Sequence, residues 1–159
     1  MSDCKQAIRI NPDFAKTYKR LFEANLALGK LEDANYALKE ALLKEPNNPA
    51  NKGDKERMDT AMHQNEKVAH YVENKNYEKA VDYLKVLLET CIESIYHICC
   101  KMEYLLRAYR LKDAIDYAKE MHKQPAVISA NPKVRAWIGR IFCYSGNEAL
   151  GKQLVMSAL

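Results

Sequence analysis

Two pairs of residues in this chain have the side chains and spacing for recognition chemistry: Lys16 with Arg20, and Lys133 with Trp137. Lys16 and Arg20 are four residues apart, so on a helix they share one face about a turn from each other. A guanidinium can hold a carboxylate through two parallel charge-assisted hydrogen bonds, and an ammonium beside it adds a point charge. The pair therefore suits a carboxylate. Spacing alone also allows a solvated basic face extended by Lys19, because exposed Lys and Arg are common. Trp137, the single tryptophan, lies close to Arg135 and Arg140. It reads either as a packing residue between helices or, with Lys133, as an aromatic anchor in a partner groove.

Other chemistry finds no support in the sequence. Cys99 and Cys100 are adjacent, with His97 and Cys91 nearby, but neighbours on a helix point about 100° apart and the spacing fits no zinc pattern. Buried or half-buried reduced thiols are the expectation, and no metal or cofactor is expected. His63, His70, His97 and His122 are scattered and read as surface residues. A Gly-rich phosphate loop, a nucleophile elbow and a Ser or Cys beside an activating base are all missing, so the chain does not read as an enzyme and has no catalytic residue to name.

The elements that would position these residues are helical. The chain of 159 residues has five Gly and five Pro and is 48% apolar, a balance that favours an all-α protein. No apolar run is long enough to span a bilayer. The 25 basic and 21 acidic residues are interspersed and leave a net charge of +4, which argues against a nucleic-acid surface. Met1 leads into polar Ser2-Asp3-Cys4-Lys5 without the apolar segment of a signal peptide, so a soluble, cytoplasmic protein without a membrane contact is expected.

Internal repetition organises the chain. From Ala15 to Asn48, 34 residues, the apolar Tyr18, Leu21 and Phe22 recur at helical spacing, Gly29 closes the run, and Ala34, Leu38 and Ala41 set the next until Pro46. The tetratricopeptide (TPR) pattern has this length and order. Residues Ser2 to Phe14 read as the second helix of an incomplete repeat. After Asn48 the phase slips by the residues Pro49 to Thr60, and further units follow at Ala61 to Ser94, Ile95 to Ser129, and from Pro132 to the end. The stretch from Pro49 to Asn74 predicts one long helix of 26 residues, about 39 Å, with Gly53 as its weakest point. Such units assemble into a right-handed superhelical solenoid of antiparallel helix pairs, here with incomplete repeats at both ends. Each repeat covers its neighbour's apolar face, so uncapped terminal helices predict mobility or self-association. The expected organisation is 1–48 as the end of a first TPR domain, 49–74 as the connecting helix, and 61–159 as the start of a second.

The segments Asp3-Cys4-Lys5-Gln6-Ala7-Ile8, Asn11-Pro12-Asp13-Phe14-Ala15-Lys16 and Tyr18-Lys19-Arg20 resemble the second and third repeats of TPR domains in chaperone adaptors. With the phase slip and the later repeats, the whole chain is similar to the central region of the cytosolic J-domain co-chaperones with two TPR domains. The resemblance implies that Lys16 and Arg20 belong to a carboxylate clamp for the C-terminal Glu-Glu-Val-Asp of Hsp70 or Hsp90. The family's other clamp residues, a Lys and two Asn, would precede Met1, and the His-Pro-Asp of a J-domain does not occur. Equivalent groove positions hold Met62 and Glu66, Tyr96 and Cys100, and Lys133 and Trp137, of which Lys133 alone suits a carboxylate. Phe22 stands where the family usually has a small residue. The alternative is a TPR scaffold of another assembly that recruits partners by shape and apolar contact.

Overall fold

Apolar residues spaced three to four apart become, over residues 15–158 described by the computed structural model, nine α-helices and no strand among the described residues. They are α1 (Ala15–Ala27), α2 (Leu31–Lys44), α3 (Ala50–Glu73), α4 (Tyr77–Thr90), α5 (Ile95–Arg107), α6 (Leu111–His122), α7 (Ala126–Ser129), α8 (Pro132–Tyr144) and α9 (Glu148–Met156). The expected half-repeat over Ser2–Phe14 lies outside the described residues. Antiparallel pairs α1/α2, α3/α4, α5/α6 and α8/α9 stack in chain order, α2 on α3, α4 on α5, and α6 on α8, while α7 is a single turn before α8.

The first helix of every pair ends in the same way. After α1, the N–H of Gly29 donates to Leu26 and that of Lys30 to Asn25; Lys75 and Asn76, Tyr109 and Arg110, and Gly146 and Asn147 repeat the two bonds after α3, α5 and α8. This paired closure places one residue in the left-handed region. Gly29, Lys75, Tyr109 and Gly146 are those residues, with φ of 69°, 55°, 58° and 85°. Starts are capped by side chains where the sequence supplies them: Asn76 for α4, Ser94 for α5 and Asn131 for α8, where Pro132 also opens the helix. The Asn48 carboxamide oxygen accepts from the Ala50 N–H at 3.0 Å and starts α3.

Each second helix presents a small residue to its pair. Ala34, Ala80 and Ala114 have no exposed surface, and Gly151 is buried. α8 and α9 approach so closely that a Cβ on Gly139 would meet the Gly151 carbonyl oxygen at 2.7 Å.

Two apolar clusters run along the solenoid. The first joins Phe22 and Leu26 of α1 and Leu38 of α2 to Met58, Ala61 and Val68 of α3, then to Leu84 and Leu87 of α4. The second carries Ile98, Met102 and Leu105 of α5 through α6 to Ile138 and Ile141 of α8 and Leu154 of α9. Burying one such side chain contributes about 1.5–3 kcal/mol, and Tyr104 packs against both clusters. The inner face of α3 is therefore part of the core along much of its length.

Candidate functional site

The α1 face carries four basic or acidic residues whose fates differ. Lys19 sits 3.6 Å from Asp54 of α3. Glu23 accepts both arms of the Arg57 fork at 2.7 and 2.9 Å, and that guanidinium lies 3.8 Å from Asp54 and 5.9 Å from the centre of the buried Phe22 ring. The hydrogen bond that Arg57 donates to Glu23, more than any other contact, raises the Arg57 pKa. Lys16 and Arg20 are exposed and have no carboxylate partner among the described residues. Folding thus neutralises the cation between them and leaves these two without a carboxylate on one face among the described residues. Phe22 is wholly buried, with the Arg57 guanidinium over its ring.

A groove of about 700 Å³ lies between α5, α8 and the α5–α6 turn. Leu106, Leu111 and Trp137 give it apolar surface, Tyr109 and Tyr144 stand at its sides, and Glu103, Arg107 and Arg140 supply charge. Arg107 donates to Glu103 at 2.8 Å; the Arg140 guanidinium lies 4.9 Å from the centre of the Trp137 ring, within cation–π range. Trp137 is half-buried against the second cluster and lines the groove as well, so packing and exposure are combined in one side chain. Lys133 does not line the groove; it sits on the first turn of α8, and its charge acts on Cys99, whose thiol burial pushes up to about 11. Lys16 and Arg20 of α1 do not line the groove either. Arg140 and Tyr144 follow Trp137 at three and seven residues, a helical spacing that marks one face. Tyr109 could have been found by aligning the repeats, since it replaces the glycine of other turns.

His97 corrects the expectation of a surface histidine. It is 4% exposed, because the turn at Gly29 packs directly on it and on Ser94. Nδ1 lies 2.7 Å from the Ser94 hydroxyl and Nε2 3.2 Å from the Asn65 carboxamide oxygen. That oxygen only accepts, so Nε2 carries the hydrogen and Nδ1 accepts from Ser94. Burial lowers the imidazole pKa to about 4. The thiols of Cys91 and Cys100 are buried and those of Cys99 and Cys143 half-buried. Among the described residues no group of three His, Cys, Asp or Glu could hold a metal, and no helix is long and apolar enough to cross a membrane.

The tyrosines divide between packing and surface positions. Tyr71 stacks on Tyr83 at 5.3 Å and Tyr77 meets Tyr104 at 5.7 Å, but Tyr36, Tyr96, Tyr109 and Tyr144 are largely exposed.

No protein-family model matches the chain, and no curated protein matches it in sequence. Among solved structures it is similar to the crystal structure of the P58(IPK) TPR domain, with a TM-score of 0.82 at 20% identity. The fold is a TPR-like helical solenoid. The likeness covers 100% of this chain and 44% of that TPR-domain chain, and at this identity it speaks for the fold alone.

Proposed function

We propose that the chain is a protein-binding TPR adaptor, part of a cytoplasmic J-domain co-chaperone, whose Lys16 and Arg20 hold the acidic C-terminus of Hsp70 or Hsp90. One observation carries the reading: on α1 these two cations are exposed and unpaired among the described residues, while Lys19 and Arg57 are engaged by Asp54 and Glu23. A TPR-like groove offers such a peptide an extended concave path. In this reading residues 1–48 end one binding domain, α3 connects, and residues 61–159 begin another. The alternative, a scaffold that uses shape and apolar contact, is favoured by the groove at Trp137.

The test is titration with a peptide ending in Glu-Glu-Val-Asp, as the free acid and as the amide. The free acid should bind more tightly, and Lys16→Ala with Arg20→Ala should weaken it by about tenfold or more, the scale of one lost charge-assisted contact. Unchanged affinity in the double variant rejects the site.

A further inference from the structure

The groove between α5 and α8 has features that packing does not explain. Its apolar wall of Leu106, Leu111 and Trp137 faces open space. Its charge is not balanced: Glu103 is taken by Arg107, while Arg140 is stacked on Trp137 without a carboxylate among the described residues. The groove therefore carries a net positive charge beside an aromatic surface, and its volume falls in the range of ligand pockets, about 300–1,000 Å³.

Tyr109 adds an independent observation. At φ 58° it occupies the left-handed position that Gly29 and Gly146 take in equivalent turns, a conformation unfavourable to a bulky side chain. Yet its ring is 96% exposed and gains nothing from burial. Lys75 takes the same position after α3, but there the side chain is a cation that water solvates. At Tyr109 an aromatic ring is held in water at the lip of the groove, and Tyr144, 59% exposed, stands on another side. The helix closure accounts for the backbone here as at Lys75; a bulky aromatic ring held in water at that position is what the closure does not require.

We propose that this groove docks an internal acidic segment of a partner protein, one aromatic side chain seated on Trp137 between Tyr109 and Tyr144 and a flanking carboxylate paired with Arg140. The proposal rests on the reading of the chain as a protein-binding scaffold, but not on Lys16 and Arg20. Aromatic anchors beside arginine dominate many interfaces, and a carboxylate on Arg140 completes the guanidinium's hydrogen bonds while its face stays on the indole.

Trp137 is the single tryptophan, so its emission reports directly on the groove. The probe is Ser-Glu-Glu-Phe-Glu-Glu-Ser, acetylated and amidated, which has no terminal carboxylate to offer α1. It should produce a saturable change in emission. Replacing its Phe by Ala, or its four Glu by Gln, should weaken binding about tenfold, as should Arg140→Gln in the protein. Tyr109→Gly should weaken it about fivefold while raising the melting temperature, a split that a merely structural tyrosine would not give. Lys16→Ala with Arg20→Ala should change nothing. No saturable response up to about 1 mM, the weak limit of specific binding, overturns the proposal, as does equal binding of the Gln peptide or full affinity in Tyr109→Gly. Binding of this peptide without binding of the Glu-Glu-Val-Asp acid removes the α1 site and leaves the groove; the reverse removes the groove.

Discussion

The Nε2 of His97 lies 3.2 Å from the carboxamide oxygen of Asn65, which ties the first turn of α5 to the middle of α3. On the other side of the ring, Gly29 brings the α1–α2 turn against Ser94 and His97, and the Glu93 N–H donates to the Ala27 carbonyl at 2.9 Å. The first helix pair thus meets the third end to end, across α3.

A pH dependence follows from that burial. The folded imidazole titrates near 4 and the unfolded one near 6.5. Between these values the unfolded chain binds a proton that the folded chain does not, so stability falls as pH drops from about 6.5 towards 4 and levels off below. The full effect is at most roughly 3.5 kcal/mol, at about 1.4 kcal/mol per pH unit. Urea denaturation of the protein and of His97→Gln between pH 7 and 4.5 should show a smaller loss on acidification in the variant. Parallel losses would remove His97 as the cause.

The glycines of the helices should respond in opposite directions. A Cβ at Gly151 would meet the Gly139 carbonyl oxygen at 2.7 Å and the Cys143 N–H nitrogen at 2.9 Å; backbone cannot rotate away, so α8 and α9 must separate. Gly139→Ala or Gly151→Ala should each cost about 1–3 kcal/mol, as overpacking does. At Gly53 a Cβ meets nothing within 4 Å, and Gly53→Ala should stabilise α3 by about 0.5–1 kcal/mol. Chemical denaturation measures all three, and a destabilised Gly53→Ala would contradict the open face of α3.

The ion pair between Glu23 and Arg57 should be worth little by itself. Both side chains are about half exposed, so a double-mutant cycle with Glu23→Gln and Arg57→Met should give a coupling of about 0.2–1 kcal/mol at low salt. In 1 M salt, where the screening length is about 3 Å, it should nearly vanish. Arg57→Ala should cost more than Arg57→Met, since the lost stem uncovers Phe22. A salt-independent coupling would show that the pair is less exposed than its geometry indicates.

Helices, turns and the order of the pairs could be read from the chain because they depend on local spacing. Ala15 to Asn48 contains its own pattern of large residues, Gly29 and small residues; the register from Pro49 to Asn74 is helical; Pro132 and Gly146 mark the bounds of α8. The single turn α7 carries no such pattern and was not visible. Spacing also put Arg140 close to Trp137, whereas the place of Tyr144 in the same groove emerged from the fold. Three matters were decided by packing between segments distant in sequence. Among the described residues Lys19 and Arg57 are spent on ion pairs whereas Lys16 and Arg20 are not, because the partners Asp54 and Glu23 lie 35 and 34 residues away. His97 is buried because a turn 68 residues earlier, at Gly29, rests on it. Tyr109 stands over a groove because α8, which begins 23 residues later at Pro132, supplies the opposite wall with Trp137, Arg140 and Tyr144. Sequence determines what each helix can present; only when α1, α3, α5 and α8 are packed is it settled which of those groups are covered, paired or left to water, since burial and charge pairing are properties of neighbours in space.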